Sequence, residues 1–343
     1  MPEFILRRTE PTDAAALNAL YRHHTGIART AEQFAWEWLA GPFGPAPSWV
    51  LVHRESGSLA AHHGVVPTPL WAGGRVLRAA RTENSMVAPE FARQVNYLAH
   101  EASLLKKLLA EYDLVFTTTG KGAPGAIRKR LGYAPVGRWR SFVLHEPLSY
   151  LVLRGLGRLA RPAAALLPAR APEPGPGWDL EMDASPAAIS ALWEQAAPGH
   201  GLCAHRSEAH LSWRLNANPY HRYTLALARK DDRAAGFAAW RSAPTAHGAE
   251  EVMVEDLFTL DNTPESCRAV LALVIRSLDR RPARVALRAV EADSALCAAA
   301  NSLLPARHRR SERGLGAEFL VRSAQTLPQD RPELTMLCAE GIE

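Results

Sequence analysis

Residues 34–42 read FAWEWLAGP and residues 211–219 read LSWRLNANP. In each, an apolar residue stands two places before a tryptophan and a proline six places after it. Trp36 and Pro42 thus match Trp213 and Pro219 at a spacing of about 177 residues. A fixed period of this length marks duplication of a whole domain, since short solenoid repeats recur every 20–50 residues.

The match extends downstream. SWVLVHRESGSLAAHHGVVP (48–67) and RYTLALARKDDRAAGFAAWR (222–241) each hold two β-rich runs split by a short polar turn, a hairpin signal. Next come extended runs with acids, RTENSMVAP (81–89) and EVMVEDLFTL (251–260). Helical stretches follow at 97–112 and 264–281, then apolar strands DLVFTTT (113–119) and ARVALRAV (283–290). A second helix and a last strand close each half, RWRSFVLHE (138–146) and AEFLVRS (317–323). Leu104, Leu105, Leu108 and Leu109 form the apolar stripe of a helix. The order β-α-α-β-β-β-α-β-α-β is expected twice.

The chain's 343 residues suit two domains of roughly 150. The boundaries are read as 1–147, a helix and Pro/Gly-rich linker over 148–177, a second domain over 178–325 and a tail over 326–343. APEPGPG (171–177) carries too much proline and glycine for helix or strand. The segment before it has helical apolar-basic spacing suited to packing on a domain. The class is α/β (α+β), with a mixed, mostly antiparallel sheet flanked by helices in each half.

Composition narrows the function classes. With 47% hydrophobic residues the chain reads as globular, and no apolar run reaches the length of a transmembrane helix. The opening MPEFILRRTEPTD reads as a strand rather than a signal peptide, so a cytoplasmic location is expected. Cys203, Cys267, Cys297 and Cys338 form no CxxC pair and are expected to be reduced structural thiols. The net charge of +5 is mild and mostly arginine; it suits a phosphate-bearing ligand and equally a solvated surface. No DNA, RNA or membrane partner is indicated. His200, Cys203 and His205 lack a fourth ligand and a metal spacing, so no metal is expected.

With the element order in place, the sequence resembles the GNAT acyltransferase superfamily, in its tandem-domain form. The resemblance covers nearly the whole chain. It rests on VAPEF before the long helix, AIRKRLGY before the late strands, and WRLNANPY opening the second domain. It implies that strands four and five of each domain splay, so that an acyl thioester pairs with strand four like an added strand. The coenzyme's pyrophosphate would then sit on amides at the next helix N-terminus. The family's glycines at that loop let the backbone approach phosphate.

Here the first loop contains Arg93, Gln94, Val95, Asn96 and Tyr97, with no glycine. The second, Asp261 to Ser266, has two acids and none either. The cofactor-binding candidates are therefore Met86 and Val87, by their main-chain amides, with Arg93, Gln94, Val95, Asn96 and Tyr97. Acetyl-CoA or another acyl-CoA is the implied co-substrate.

Acyl transfer to an amine needs a base and oxyanion donors. The resemblance places the base on strand four, at Glu83 in the first half. In the second half Glu255 and Asp256 compete. Alternation groups Val254, Asp256 and Phe258 on one face, so Asp256 is preferred. The family's tyrosine acid is replaced by Arg128, which is open to binding an anion or to lying on a basic face with Lys129 and Arg130. Trp36, His62, Thr118 and Arg128 are the substrate-binding candidates. His62 and His63 must face opposite ways in a strand, so they cannot chelate one ion together. His23 and His24 are expected to cap the first helix.

The expected function is transfer of an acyl group from a thioester to a small-molecule amine. The alternatives are a transferase drawing on an acyl-carrier protein or aminoacyl-tRNA, and a non-catalytic binding protein on the same fold. The acyl group, the acceptor and the oligomeric state are not legible.

Overall fold

The computed structural model describes residues 3–119, 123–145, 172–244, 250–278, 284–290, 294–303, 318–323, 332–335 and 337. The first half runs β1 (Phe4–Arg8), α1 (Ala14–Thr25), α2 (Ala31–Trp38), β2 (Trp49–His53) and β3 (Leu59–Pro67). It continues through β4 (Leu70–Ala72), β5 (Arg75–Leu77), β6 (Ala79–Val87), α3 (Tyr97–Glu111), β7 (Leu114–Thr119), α4 (Ala123–Arg130) and β8 (Ala134–His145).

The second half runs β9 (Trp178–Met182), α5 (Pro186–Ala196), β10 (Cys203–Ala204) and α6 (Glu208–Leu211), prolonged by a π turn over Ser212–Asn216. Then come β11 (Thr224–Lys230), β12 (Arg233–Pro244), β13 (Glu250–Thr259), α7 (Pro264–Ser277), β14 (Arg284–Val290), α8 (Ala295–Leu303) and β15 (Glu318–Ser323). The helix expected after residue 147 and Cys338 lie outside the described residues.

Local chemistry sets these bounds. Thr30 and Gln33 form a reciprocal capping box at the start of α2. Asn96 caps α3 by accepting the Ala99 amide. Gly26, at φ 75°, ends α1 in the left-handed region.

Twelve strands form one sheet in the order β1-β2-β3-β6-β7-β15-β8-β14-β13-β12-β11-β9. The order is palindromic about the β15/β8 pair. From either edge inward, β1 answers β9, β2 answers β11, β3 answers β12, β6 answers β13 and β7 answers β14. The two parallel pairs, β6 with β7 and β13 with β14, hold symmetric places.

The last strands are exchanged. β15 lies antiparallel between β7 and β8, while β8 lies antiparallel between β15 and β14. Each half therefore completes the other's sheet. A small second sheet, β10-β4-β5, also joins the halves, with Cys203 opposite Trp71.

Trp36 and Trp213 sit on the local two-fold. Trp36 Nε1 donates to the Trp213 carbonyl at 2.9 Å, and Trp213 Nε1 donates to the Trp36 carbonyl at 3.0 Å. Their rings stack at 4.9 Å with 21° between planes. Reciprocal contacts of this kind are what a two-fold relation produces.

The largest apolar cluster draws on both halves. Leu70, Leu77, Leu114 and Phe116 pack with Trp193, Leu211, Phe237, Phe258 and Phe319. A second cluster lies between the second-half strands and α7 and α8, around Val254, Leu257, Val270 and Cys297. The α3 stripe behaves as expected, with Leu104, Leu105 and Leu108 buried on Val65, Val115 and Tyr133.

Candidate functional site

The site begins where the parallel strands part. β6 and β7 are paired at Ala79–Leu114, Ala80–Val115 and Arg81–Phe116, and no farther. Side chains take over at the fork. Thr82 Oγ1 donates to Phe116 O at 3.4 Å, and Thr117 Oγ1 donates to Thr82 O at 3.0 Å. Opposite β3, the β6 register slips between His62 and Gly64, and Asn84 stands at φ 49°. Asparagine tolerates this left-handed conformation better than most residues. The extra residue turns Thr82 and Ser85, three apart, to the same face.

That face carries a buried polar network. Arg128, from α4, donates through Nη1 to Thr82 Oγ1 and through Nη2 to Ser85 Oγ and Glu101 Oε1 at 3.3 Å each. Glu101 Oε1 also accepts from Tyr97 OH at 2.6 Å and from His63 Nδ1 at 3.2 Å. Burial opposes the Glu101 charge, but Arg128 and His63 outweigh it and hold the carboxyl below the usual range. Burial likewise opposes the Arg128 charge, and Glu101 outweighs it. Burial, with Glu101 beside it, raises the Tyr97 phenol above its ordinary value.

Arg128 is therefore neither an exposed basic residue nor a free anion receptor, because its charge is spent inside the fold. Lys129 and Arg130 are exposed. Thr118, half-buried on β7, sits opposite Phe319 of β15.

The opposite face of β6 carries Arg81 and Glu83. Glu83 is buried, and Arg81 Nε donates to its Oε2 at 2.6 Å. Among the described residues, its Oε1 has no hydrogen-bond partner. Nearby, Asn84 Nδ2 donates to Glu37 Oε1 at 2.7 Å, and Glu37 pairs with Arg29 at 3.3 Å. His62 faces this side, edge-on to Trp38, with Nδ1 donating to Asn84 O at 3.0 Å. Burial pushes its pKa down to about 3. His62 and His63 do face opposite ways, and it is His63 that meets the network at the fork. Trp36 belongs to the contact between halves.

The loop into α3 engages many of its own amides. Ala92 N–H bonds Pro89 O, Gln94 and Val95 bond Phe91 O, Tyr97 bonds Val95 O, and His100 bonds Asn96 O. Asn96 Oδ1 takes the Ala99 amide. The Val95 side chain packs in the core beside Met86 and Phe91, while Arg93 and Gln94 are exposed. With these amides engaged and no glycine to admit an anion, the loop fits a pyrophosphate poorly.

Farther along β6, Ala88 N–H donates to Ala60 O at 2.8 Å. Alternation of the antiparallel ladder turns the Val87 amide and carbonyl away from β3, toward the fork. His24 Nε2 donates to that carbonyl at 2.9 Å. His24 thus reaches across to β6, while α1 itself ends on Gly26.

The second half has the same fork, with β13 and β14 paired only through Val254–Leu287. Here the expected grouping of faces needs correction. β13 bulges between Ala239–Asp256 and Trp240–Val254. Val254 and Leu257 consequently share the cluster under α7, while Phe258 lies in the other. Simple alternation fails because the bulge adds one residue.

Asp256 is fully buried and fully engaged. Arg206 grips it through Nε at 2.7 Å and Nη2 at 2.8 Å, and Thr335 donates to Oδ1 at 2.6 Å. Glu255 lies against Arg214 at 3.4 Å, and burial raises its pKa. The loop into α7 holds its own anion, since Asp261 accepts from Ser266 Oγ at 2.8 Å and Thr263 Oγ1 at 3.2 Å.

Cys203, Cys267 and Cys297 are buried. Burial pushes Cys203 and Cys267 up to about 12. Among the described residues, no cluster of His, Cys, Asp or Glu is arranged to hold a metal ion, and no helix is long and apolar enough to cross a membrane.

The residues missed at the sequence level are Glu101, His63 and Ser85. Glu101 carried a signal, since a lone acid in an apolar helix stripe needs a buried partner.

No family model matches the sequence, and neither does any curated protein. Solved structures do match. A GCN5-related N-acetyltransferase from Anabaena variabilis superposes with a TM-score of 0.63 at 15% identity, covering 94% of this chain and 73% of that one. A probable N-acyltransferase from Enterococcus faecalis gives 0.63 at 14%, covering 97% and 73%. N-myristoyltransferase from Saccharomyces cerevisiae, with myristoyl-CoA and inhibitors bound, gives 0.52 at 12%, covering 84% and 74%. The chain has the fold of the GCN5-related N-acetyltransferases.

Proposed function

We propose that the protein transfers an acyl group from a thioester to the amine of a small molecule, at the fork of β6 and β7. The observation that carries this reading is Glu83. It lies just past the last paired residue, with one carboxylate oxygen held by Arg81 and the other without a partner among the described residues. Asp256, drawn from the same pattern, has no oxygen left to act.

The acceptor nitrogen attacks the thioester carbonyl as a carbon–nitrogen bond forms. Glu83 Oε1 takes the proton from that nitrogen. The oxyanion lies against the Val87 amide. The carbon–sulfur bond breaks and the thiolate takes a proton from water. The stretches 1–147 and 178–325 act as two copies of one unit, a reading supported by the palindromic strand order.

The loop into α3, with many of its amides engaged, supports a second reading of the donor, in which the pantetheine arm is recognised and the nucleotide is not. A carrier-protein thioester then serves as well as acyl-CoA. Acetyl-pantetheine, acetyl-CoA and an acetylated carrier protein should be compared as donors, with thermal shift and amine acylation as readouts. Acetyl-pantetheine is expected to match acetyl-CoA in KM. Silence of all three in both readouts would overturn the acyl-transfer reading.

A further inference from the structure

Beyond Val254–Leu287, β14 does not present a bare edge to the second fork. Ala289 bridges antiparallel to Thr335, and the Val290 amide donates to Leu334 O at 2.9 Å. The other side of the same short strip meets β10's approach. Pro332 bridges parallel to Leu202, and the Glu333 amide donates to Leu202 O at 2.8 Å. Residues 332–335 are thus threaded as an extended strand into the gap that the parting strands leave.

Side chains fasten the strip. Glu333 Oε2 accepts from His200 Nδ1 at 2.6 Å, and Oε1 accepts from Asn262 Nδ2 at 2.9 Å. Thr335 reaches across to Asp256 of β13. Leu334 and Leu337 are fully buried, 0% exposed. What remains beside the strip, among Leu257, Cys267, Ser294 and Glu333, is a cavity of about 10 Å³. That volume admits one water at most. In the first half the Thr82 and Thr117 side chains bond across only the base of the corresponding fork.

Two parallel strands that part expose unpaired amides and carbonyls, a template for an added strand. We propose that residues 332–335 are an exchangeable occupant of the β13/β14 fork, a strip of this chain that leaves and re-enters the gap by local opening. The strip is joined by isolated bridges and polar clasps rather than by a ladder, so it opens without unfolding the sheet. Glu333 and Thr335 hold it shut. This inference concerns the second half and stands whether or not the first half transfers acyl groups.

Native-state hydrogen exchange on the full chain tests it. The Val290 and Glu333 amides should exchange by local opening, faster than those of the β12–β13 ladder. Glu333→Gln and Thr335→Val should each accelerate those two amides roughly tenfold, with the ladder unchanged. A chain ending at residue 330, where it folds, should bind a synthetic peptide of residues 331–343 and reject the same peptide carrying Leu334→Asp. If the Val290 and Glu333 amides exchange in step with the ladder in every variant, the strip is an integral strand and the proposal is overturned. Failure of the peptide to bind the folded shortened chain overturns it equally. Where the shortened chain does not fold, the exchange comparison alone decides.

Discussion

Glu83 and Asp256 are both acids on the strand before the long helix, and the structure gives them different surroundings. Asp256 is gripped by both Arg206 nitrogens and by Thr335. Asp256→Asn leaves a buried guanidinium without its counter-ion, which typically costs about 3–5 kcal/mol. Urea unfolding should show that loss. Glu83→Gln should cut acyl transfer by about 10²–10⁴-fold if Glu83 is the base. Full turnover in Glu83→Gln would remove it from the mechanism.

The histidines give a pH test at the same scale. Burial lowers His62 to about 3 and His210 to about 4. Unfolding returns both toward ~6.5, so below that pH the unfolded chain binds more protons than the folded one. Stability is complete above ~6.5 and declines as pH falls, by about 1.4 kcal/mol per pH unit for each histidine. Carboxylates such as Glu101 and Glu333, both held below the usual range, enter only at lower pH. Burial also lowers His100 and His205, so the urea midpoint should drop between pH 6.5 and 5, and His62→Gln should reduce the slope without abolishing it. A slope unchanged by that variant removes His62 as its source.

At the scale of the element, most strands and helices were legible because each carries its own period and cap. The α3 stripe and the two hairpins are examples. The short β4 and β5 were not read, although the Gly73-Gly74 pair between them, both at positive φ, is a turn signal. The bulges in β6 and β13 were not legible. They decide which side chains face the site, yet they depend on register against β3 and β12, which no local pattern encodes.

Gly64 shows how tightly the first bulge is packed. A Cβ there would lie 2.3 Å from Glu83 O and 2.4 Å from Trp38 Cη2. Backbone cannot yield as a flexible side-chain tip does. Gly64→Ala is expected to cost about 1–3 kcal/mol and to disturb Glu83 with it, lowering activity beyond the loss of folded protein. An alanine variant with unchanged midpoint and turnover would show that the bulge relaxes freely.

For the whole molecule, the paired Trp–Pro spacing pointed to two like halves, but the strand exchange was hidden. The last strands of the two halves have similar patterns, so the sequence does not say which sheet each joins. Yet the exchange governs cooperativity. β15 is bonded to β7 on one side and to β8 on the other, and β8 in turn to β14. The largest core cluster mixes residues from both halves, and the stacked Trp36–Trp213 pair closes the two-fold. Unfolding either half alone would strip a strand from the other and open that shared core. Chains of this length often unfold domain by domain, but here partial unfolding sacrifices contacts on both sides. Tryptophan fluorescence and far-UV circular dichroism should therefore report one coincident urea transition. Trp36→Ala and Trp213→Ala should each lower that single midpoint, by about 3–5 kcal/mol for a buried aromatic. The double variant should cost less than the sum, because each tryptophan's indole N–H bonds the other's backbone and their rings share one stack. Two separated transitions, with only one moved by each tryptophan variant, would show that the halves fold independently and that the exchanged strands contribute little to holding them together.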